Sequence, residues 1–261
     1  MTDSVTRCKR YRRRILDISQ RVTALHIAPA FSCTELVDVI YNEAMRHDAP
    51  EDIFLMSKGH GCMILYVILA ERGILSDEDL LSYCTPNGRL GAHPDFGTPG
   101  IAASTGSLGH GLSIAAGQAY AEFLKGSRVK TFCVVSDGEL QEGSSWEAMM
   151  MSANLRLGNL TMIIDNNDFS GLERMSIGHP AFYPLIQKIE SFGWSVATCD
   201  GHDAESIRTA LAGSDGKRPH AVVATTVKGK GVSFMEHENL WHYRSPSQAE
   251  YAQAIREVEQ T

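Results

Sequence analysis

The sequence has little that would tie it to a membrane, to disulfides or to nucleic acid. Its longest uninterrupted apolar run, Cys62 to Ala70, is nine residues, against the ~20 a helix needs to cross a bilayer. No apolar segment follows the basic start as it would in a secretory leader. The six cysteines are scattered with no C-x-x-C pair, which excludes a disulfide framework or a zinc site and predicts reduced, mostly buried thiols. Positive charge is in deficit: 24 Lys and Arg stand against 31 Asp and Glu, a net charge of −7, the wrong balance for a nucleic-acid binder. Internal repeats, low-complexity tracts and Pro/Ser linkers are also missing. What remains is an ordinary globular composition, 43% hydrophobic over 261 residues, long enough for one large core. A single cytoplasmic domain over 1–261 is expected.

The apolar periodicity changes character along the chain. The first 125 residues read as helical. Arg7 to Arg14 hold six of the 24 basic residues, and Ile15, Ile18 and Val22 follow at helical spacing, so this segment reads as a helix with a solvated basic face. Thr34 reads as the N-cap of a helix carrying Leu36, Val37, Ile40 and Tyr41 on one side, and Ser57 as the start of a more apolar, buried helix reaching about Arg72. A Gly- and Pro-rich stretch, Pro86 to Gly111, is expected to be a long ordered loop, and such loops are usually functional. From Val129 onward, apolar β-branched runs (Val129–Val135, Leu160–Asp165, Trp194–Cys199, Ala221–Val227) alternate with helical segments near Ser145–Leu155, Tyr183–Phe192 and Asp203–Ala212. That alternation predicts an α/β fold, a mostly parallel sheet with helices on both faces, which binds ligands beyond the carboxyl ends of its strands.

Two polar clusters fall at those ends, Ser136-Asp137-Gly138-Glu139 and Asp165-Asn166-Asn167-Asp168. A carboxylate and an amide thirty positions apart in a βαβ unit meet at the tops of adjacent strands and make a hard oxygen site. Mg²⁺ suits such a site, taking few protein ligands and completing its octahedron with water and phosphate. Gly138 admits a phosphate to the backbone, and the following helix, starting near Gly143–Ser145, offers its positive end. Either cluster alone reads equally well as a turn or a capping pair.

Together, the Asp-Gly and the Asn-Asn about thirty residues later resemble the thiamine-diphosphate fingerprint, and the whole chain is similar to the transketolase family from about residue 17 to 246. The resemblance rests on V-S-D-G-E-L-Q-E-G-S-S-W-E-A from Val135 to Ala148, on Ser57-Lys58-Gly59-His60, Gly91-Ala92-His93-Pro94-Asp95 and Ser104-Thr105-Gly106-Ser107-Leu108-Gly109. It closes with Lys228-Gly229-Lys230-Gly231-Val232-Ser233-Phe234-Met235 and Trp241-His242. It implies that Asp137, Asn167 and the backbone carbonyl of Phe169 bind the metal, Mg²⁺ with Ca²⁺ or Mn²⁺ as substitutes. His60 and His242 would hydrogen-bond the diphosphate of thiamine diphosphate, with Gly138 at its backbone approach. Gly106 and Leu108 would touch the aminopyrimidine. His26 and His93 would face the sugar as catalytic acid/base and recognition groups, with His242 counted in that catalytic set too. Glu142 would link cofactor sites across an interface. His237 reads as a loop residue.

Two departures from the family pattern stand out. The family surrounds its first active-site histidine with S-G-H-P-G-G, whereas this chain reads Ala24-Leu25-His26-Ile27-Ala28-Pro29, so Leu25 and Ile27 are expected to reshape the wall near the sugar. The family's pyrimidine-binding domain, with its cofactor-activating glutamate, has no counterpart here, and Ala249–Glu259 reads as a short helix. The resemblance therefore implies the N-terminal subunit of a split transketolase, working on sugar substrates with a C-terminal subunit in an α2β2 assembly. Met149-Met150-Met151 reads as a piece of that interface or as plain core. The rival readings are the α subunit of a 2-oxo-acid dehydrogenase or a deoxyxylulose-phosphate synthase type, and a cofactor-binding regulatory protein without activity.

Overall fold

The computed structural model describes residues 3–22, 24–171 and 173–260. Five strands, β1 (Ile53–Met56), β2 (Thr131–Ser136), β3 (Leu160–Asn166), β4 (Ser195–Asp200) and β5 (His220–Thr225), form a wholly parallel sheet in the order β1-β2-β3-β5-β4. Side chains alternate between its faces. Phe132, Val134, Ile163 and Val222 enter one apolar core, and Cys133, Val135, Met162 and Val223 the other. With both faces covered, the central strands have no polar side, which is why they read as continuous apolar runs.

Helices α1 (Ser4–Ser19), α2 (Ile27–Ser32), α3 (Thr34–Val39), α4 (Met63–Glu71) and α5 (Asp77–Leu81) pack on the first face. The second is covered by α6 (His110–Leu124), α7 (Gly143–Asn154), α8 (Met175–Gly178) and α9 (Leu185–Ser191), and α10 (Ala204–Ala212) and α11 (Gln248–Gln260) return to the first. Every residue of α4 from Met63 to Leu69 is buried. No described helix is long and apolar enough to cross a membrane, and all six cysteines are free, five of them buried.

Four local expectations need correction. Ile53–Met56 is a strand paired with β2, not part of a helical region; a four-residue apolar run cannot be told from buried helix by periodicity. The apolar helix begins at Met63, after a 3₁₀ turn over Gly59–Gly61, and not at Ser57. Thr34 is the first residue of α3 and not its cap, because α2 precedes it directly and the Thr34 hydroxyl donates back to the Ala30 carbonyl at 2.9 Å. The basic face of α1 is only partly solvated. Arg12 is buried, donates to both carboxylate oxygens of Glu35 at 2.6 and 2.9 Å, and also reaches the Phe31 carbonyl, while Arg7 pairs with buried Asp38 at 2.7 Å. These arginines tie α1 to α3, an arrangement that buried acidic partners make possible.

Candidate functional site

Four neighbouring strand ends build the site. At the end of β1, the amides of Ser57 and Lys58 both donate to the Val134 carbonyl of β2, at 2.8 and 3.1 Å, and the 3₁₀ turn that follows carries His60. At the end of β2, the Asp137 amide bonds the Asp165 carbonyl of β3 at 3.2 Å, placing Asp137 beside the Asn166-Asn167 pair. Past β5, the Thr226 amide bonds the Asn166 carbonyl at 3.2 Å, and the chain runs on to Lys228. Three further histidines converge from outside the sheet. His26 stands at the N-terminus of α2, His93 comes from the irregular loop between α5 and α6, and His242 from the 3₁₀ segment Asn239–Tyr243.

Every site residue expected from the sequence, except Asp137, lines one cavity of about 270 Å³; Asp137 is fully buried beneath it. The His26 ring lies 5.9 Å from that of His60, 5.7 Å from His93 and 5.4 Å from His242, and His60 and His242 are 5.3 Å apart. Burial, then the positive charges of neighbouring groups, hold the imidazoles neutral: His26 is lowered to about 4, His242 to about 3, and His60 well below its ordinary value. A neutral imidazole keeps one donor and one acceptor. Gly106 adopts φ +122°, and a Cβ there would lie 2.6 Å from Cγ of His93, so only glycine lets this loop press against the His93 ring.

The oxygen donors belong to the ends of β2 and β3. Asp137 accepts the Gly138 amide on Oδ1 at 2.8 Å and the Asp168 amide on Oδ2 at 2.6 Å. Asn167 accepts the Phe169 amide at 2.9 Å and donates to Ser32 at 3.0 Å. A Cβ on Gly138 would meet the Phe169 carbonyl oxygen at 3.4 Å, so that backbone carbonyl and the Asp137 carboxylate flank the glycine, with Asn167 on the same cavity. Burial, then the nearby charge of Asp165, pushes Asp137 up to about 7; a cation bound there would reverse that shift. The Nδ1 atoms of His26 and His242 are buried and have no hydrogen-bond partner among the described residues. An all-oxygen set with one carboxylate, a glycine that admits a ligand and two unpartnered imidazole nitrogens fit a Mg²⁺-diphosphate group and the cofactor attached to it.

Besides Asp165, sequence reasoning assigned no role to three buried charged residues here. Lys58 is fully buried and ion-paired with Asp165, which also accepts the Ser32 hydroxyl at 2.7 Å. Burial alone would lower the Lys58 ammonium, but Asp165 outweighs it and holds the group charged. Lys228 donates to the Ser170 carbonyl at 3.1 Å and to Asn239 at 3.3 Å, and burial, then Lys58, lowers it to about 8. Both lysines line the cavity and both sit inside motifs already singled out, so the signal was there. The third is Glu139. Leu25 and Ile27, expected to reshape the sugar wall, are instead fully buried in the core: flanking His26, they point away from the cavity. His237 is a loop residue with φ +60°. Glu142 is exposed at the rim, at the N-cap position of α7. Met149 is buried in the second core while Met150 and Met151 are exposed.

The family model described as transketolase, thiamine diphosphate binding domain, matches residues 6–258. The chain is 37% identical over 259 residues to one subunit of an apulose-4-phosphate transketolase from Phocaeicola vulgatus, covering 95% of this chain and 90% of that protein. It is 36% identical over 261 residues to a protein of the same description from Actinobacillus succinogenes, covering 97% and 94%. Among solved structures, transketolase from Leishmania mexicana superposes with a TM-score of 0.92 at 28% identity, over 99% of this chain and 42% of that one. The chain thus spans about two fifths of that solved transketolase.

Proposed function

The chain belongs to the transketolase family, and from that premise we propose that it is the diphosphate-anchoring subunit of a two-chain transketolase, acting with a C-terminal subunit that carries the pyrimidine-binding domain. The observation that carries this reading is the convergence of four histidines, Asn167 and Phe169 on one cavity above β1, β2, β3 and β5, with the Asp137 carboxylate buried beneath it. Two relatives that this chain matches over 90% and 94% of their length are each described as a subunit of a transketolase, which supports the partner. An α2β2 assembly is the expected form.

Asp137, Asn167 and the Phe169 carbonyl would hold Mg²⁺, with Ca²⁺ or Mn²⁺ as substitutes, and through it the diphosphate of thiamine diphosphate. His60 and His242 would donate to the diphosphate oxygens, which neutral imidazoles do without competing for the metal's counter-charge. Gly138 gives the phosphates backbone access, and Gly106 and Leu108 form the wall facing the aminopyrimidine. Bound there, the cofactor supplies the carbanion chemistry that moves a two-carbon ketol unit from a ketose to an aldose. His26 and His93 would bind sugar hydroxyls and take or return protons; a positioned acid/base of this kind is typically worth about 10²–10⁴ in rate. Glu142 at the rim would meet its counterpart across the interface, with exposed Met150 and Met151 on the same helix. The sugar pair is carried over only as a class: a phosphorylated or otherwise modified ketose as donor and an aldose as acceptor.

Calorimetric titration of thiamine diphosphate into the purified chain tests the anchoring half of this reading. Binding that requires Mg²⁺, Ca²⁺ or Mn²⁺ and is lost in chelator is the expected result. Binding indifferent to the cation would overturn the site assignment.

A further inference from the structure

Glu139 has no role in the reading above, yet its carboxylate is fully buried beside the site. Oε1 accepts the Ser57 hydroxyl and, at 3.0 Å, the Gly109 amide; Oε2 accepts the Ser136 amide at 3.4 Å. The three donors come from three separate segments: the end of β1, the end of β2 and the loop before α6. Desolvating a carboxylate is costly unless donors surround it, and here they come from all three. One of them is a helix-terminal amide. Gly109 occupies the N-cap position of α6 at φ +83° with no side chain of its own to cap, and a Cβ there would lie 2.5 Å from Cβ of Glu142. The Glu139 carboxylate therefore satisfies the Gly109 amide, one of the N–H groups that the start of a helix leaves without an intrahelical partner.

The loop is pinned at its other end as well, where the Thr105 hydroxyl donates to the Met56 carbonyl at 2.7 Å, and again at Gly109, whose carbonyl accepts Ser144 at 3.0 Å. Between the pinned ends lie Gly106, Ser107 and Leu108, of which Gly106 and Leu108 line the cavity. We propose that Glu139 is a positioning residue: by satisfying the Gly109 amide and joining it to the ends of β1 and β2, it fixes the Gly106–Leu108 wall against the organic part of the cofactor, while the diphosphate is held by other residues. The inference rests on the function proposed above and adds a division of labour between the two ends of the ligand.

The test compares Glu139→Gln, which keeps an acceptor oxygen for Ser57 and Gly109, with Glu139→Met, which keeps the length and removes both acceptors. Thiamine diphosphate and inorganic diphosphate, each with Mg²⁺, are titrated into the full-length chain, and amide exchange is followed by mass spectrometry. Glu139→Gln is expected to stay within about threefold of wild type for both ligands, whereas Glu139→Met loses about tenfold for thiamine diphosphate only, the worth of one or two buried hydrogen bonds. In Glu139→Met, amides of residues 105–109, and that of Ser136, which loses the same acceptor, should exchange about tenfold faster or more, with those of β3 unchanged. Equal behaviour of the two variants, or equal weakening of both ligands, overturns the proposal. If Glu139→Met does not fold, Ser57→Ala, which removes one of the three donors, should show the same selective loss at about threefold, and a Ser57→Ala chain indistinguishable from wild type in loop exchange overturns it. A wild-type chain that binds neither ligand defeats the functional reading instead, and the exchange comparison still decides the clip.

Discussion

His26 and His242 meet edge to face, 5.4 Å between ring centroids, each with a buried Nδ1 that no described residue satisfies. Two neutral imidazoles with idle nitrogens are poised for a ligand and costly to protonate. Their folded-state values, about 4 and about 3, lie below the ordinary 6.5. Between those limits the unfolded chain binds more protons than the folded one, so stability rises with pH across the window and is lost as pH falls from about 6.5. The ligand-free chain should lose about 1–2 kcal/mol per imidazole between pH 7 and pH 5, allowing for partial solvent access. Calorimetric melting of wild type against His26→Asn/His242→Asn checks this; the double variant should show a flatter pH dependence.

Removing the anionic metal ligand should separate binding from folding. Asp137→Asn is expected to weaken thiamine diphosphate retention in Mg²⁺ by about 100-fold or more, beyond the 10–100-fold typical of losing an outer-shell partner. Asn167→Ala, which removes one oxygen of about six, should bind weakly and recover in part with excess Mg²⁺. Asp77→Asn, on an exposed side chain, should leave binding at the wild-type level. Equilibrium dialysis against the cofactor measures all three.

The histidines should divide by position. His60→Ala and His242→Ala are expected to weaken cofactor binding, whereas His93→Ala and His26→Ala should leave it nearly intact and cut turnover of the reconstituted enzyme by about 10²–10⁴ or raise the apparent KM for the ketose. Titrations and steady-state kinetics on the same four variants would expose swapped roles.

The sheet and the site were legible in the sequence for different reasons. β2, β3 and β5 announced themselves because burial on both faces leaves neither side of the strand polar, and Asp137 and Asn167 because polar clusters at the ends of such runs are conspicuous. β1 was not legible, since Ile53–Met56 is too short to carry a period and leads within a few residues into the equally apolar α4. Arg12 looked solvated because a sequence window cannot show Glu35 arriving from another helix. Lys58 and Lys228 went unassigned for the same reason: their partners Asp165 and the Ser170 carbonyl lie 107 and 58 positions away, and composition alone places lysines outside. For Leu25 and Ile27, adjacency to His26 in sequence does not mean proximity to the cavity, because His26 sits at a helix start and its neighbours turn inward.

The buried Lys58–Asp165 pair, both side chains fully inaccessible, predicts a large structural effect. Lys58→Met leaves Asp165 without its counter-charge and should destabilise the chain by about 3–5 kcal/mol, lowering Tm by on the order of 10 °C. Lys58→Met/Asp165→Asn should recover part of that loss. Thermal unfolding of the two variants without cofactor checks it, and a double variant no more stable than Lys58→Met would assign the effect to packing.

If this chain anchors a cofactor that a second polypeptide activates, ketol transfer depends on both. Ketol transfer is measured with a panel of ketose donors and aldose acceptors for the chain alone, for a polypeptide carrying the pyrimidine-binding domain alone, and for the two mixed, always with thiamine diphosphate and Mg²⁺. The predicted result is transfer only in the mixture, lost when Asp137→Asn replaces the wild-type chain. Two-carbon transfer by the isolated chain at ordinary enzyme rates, about 1–10³ per second, would contradict it.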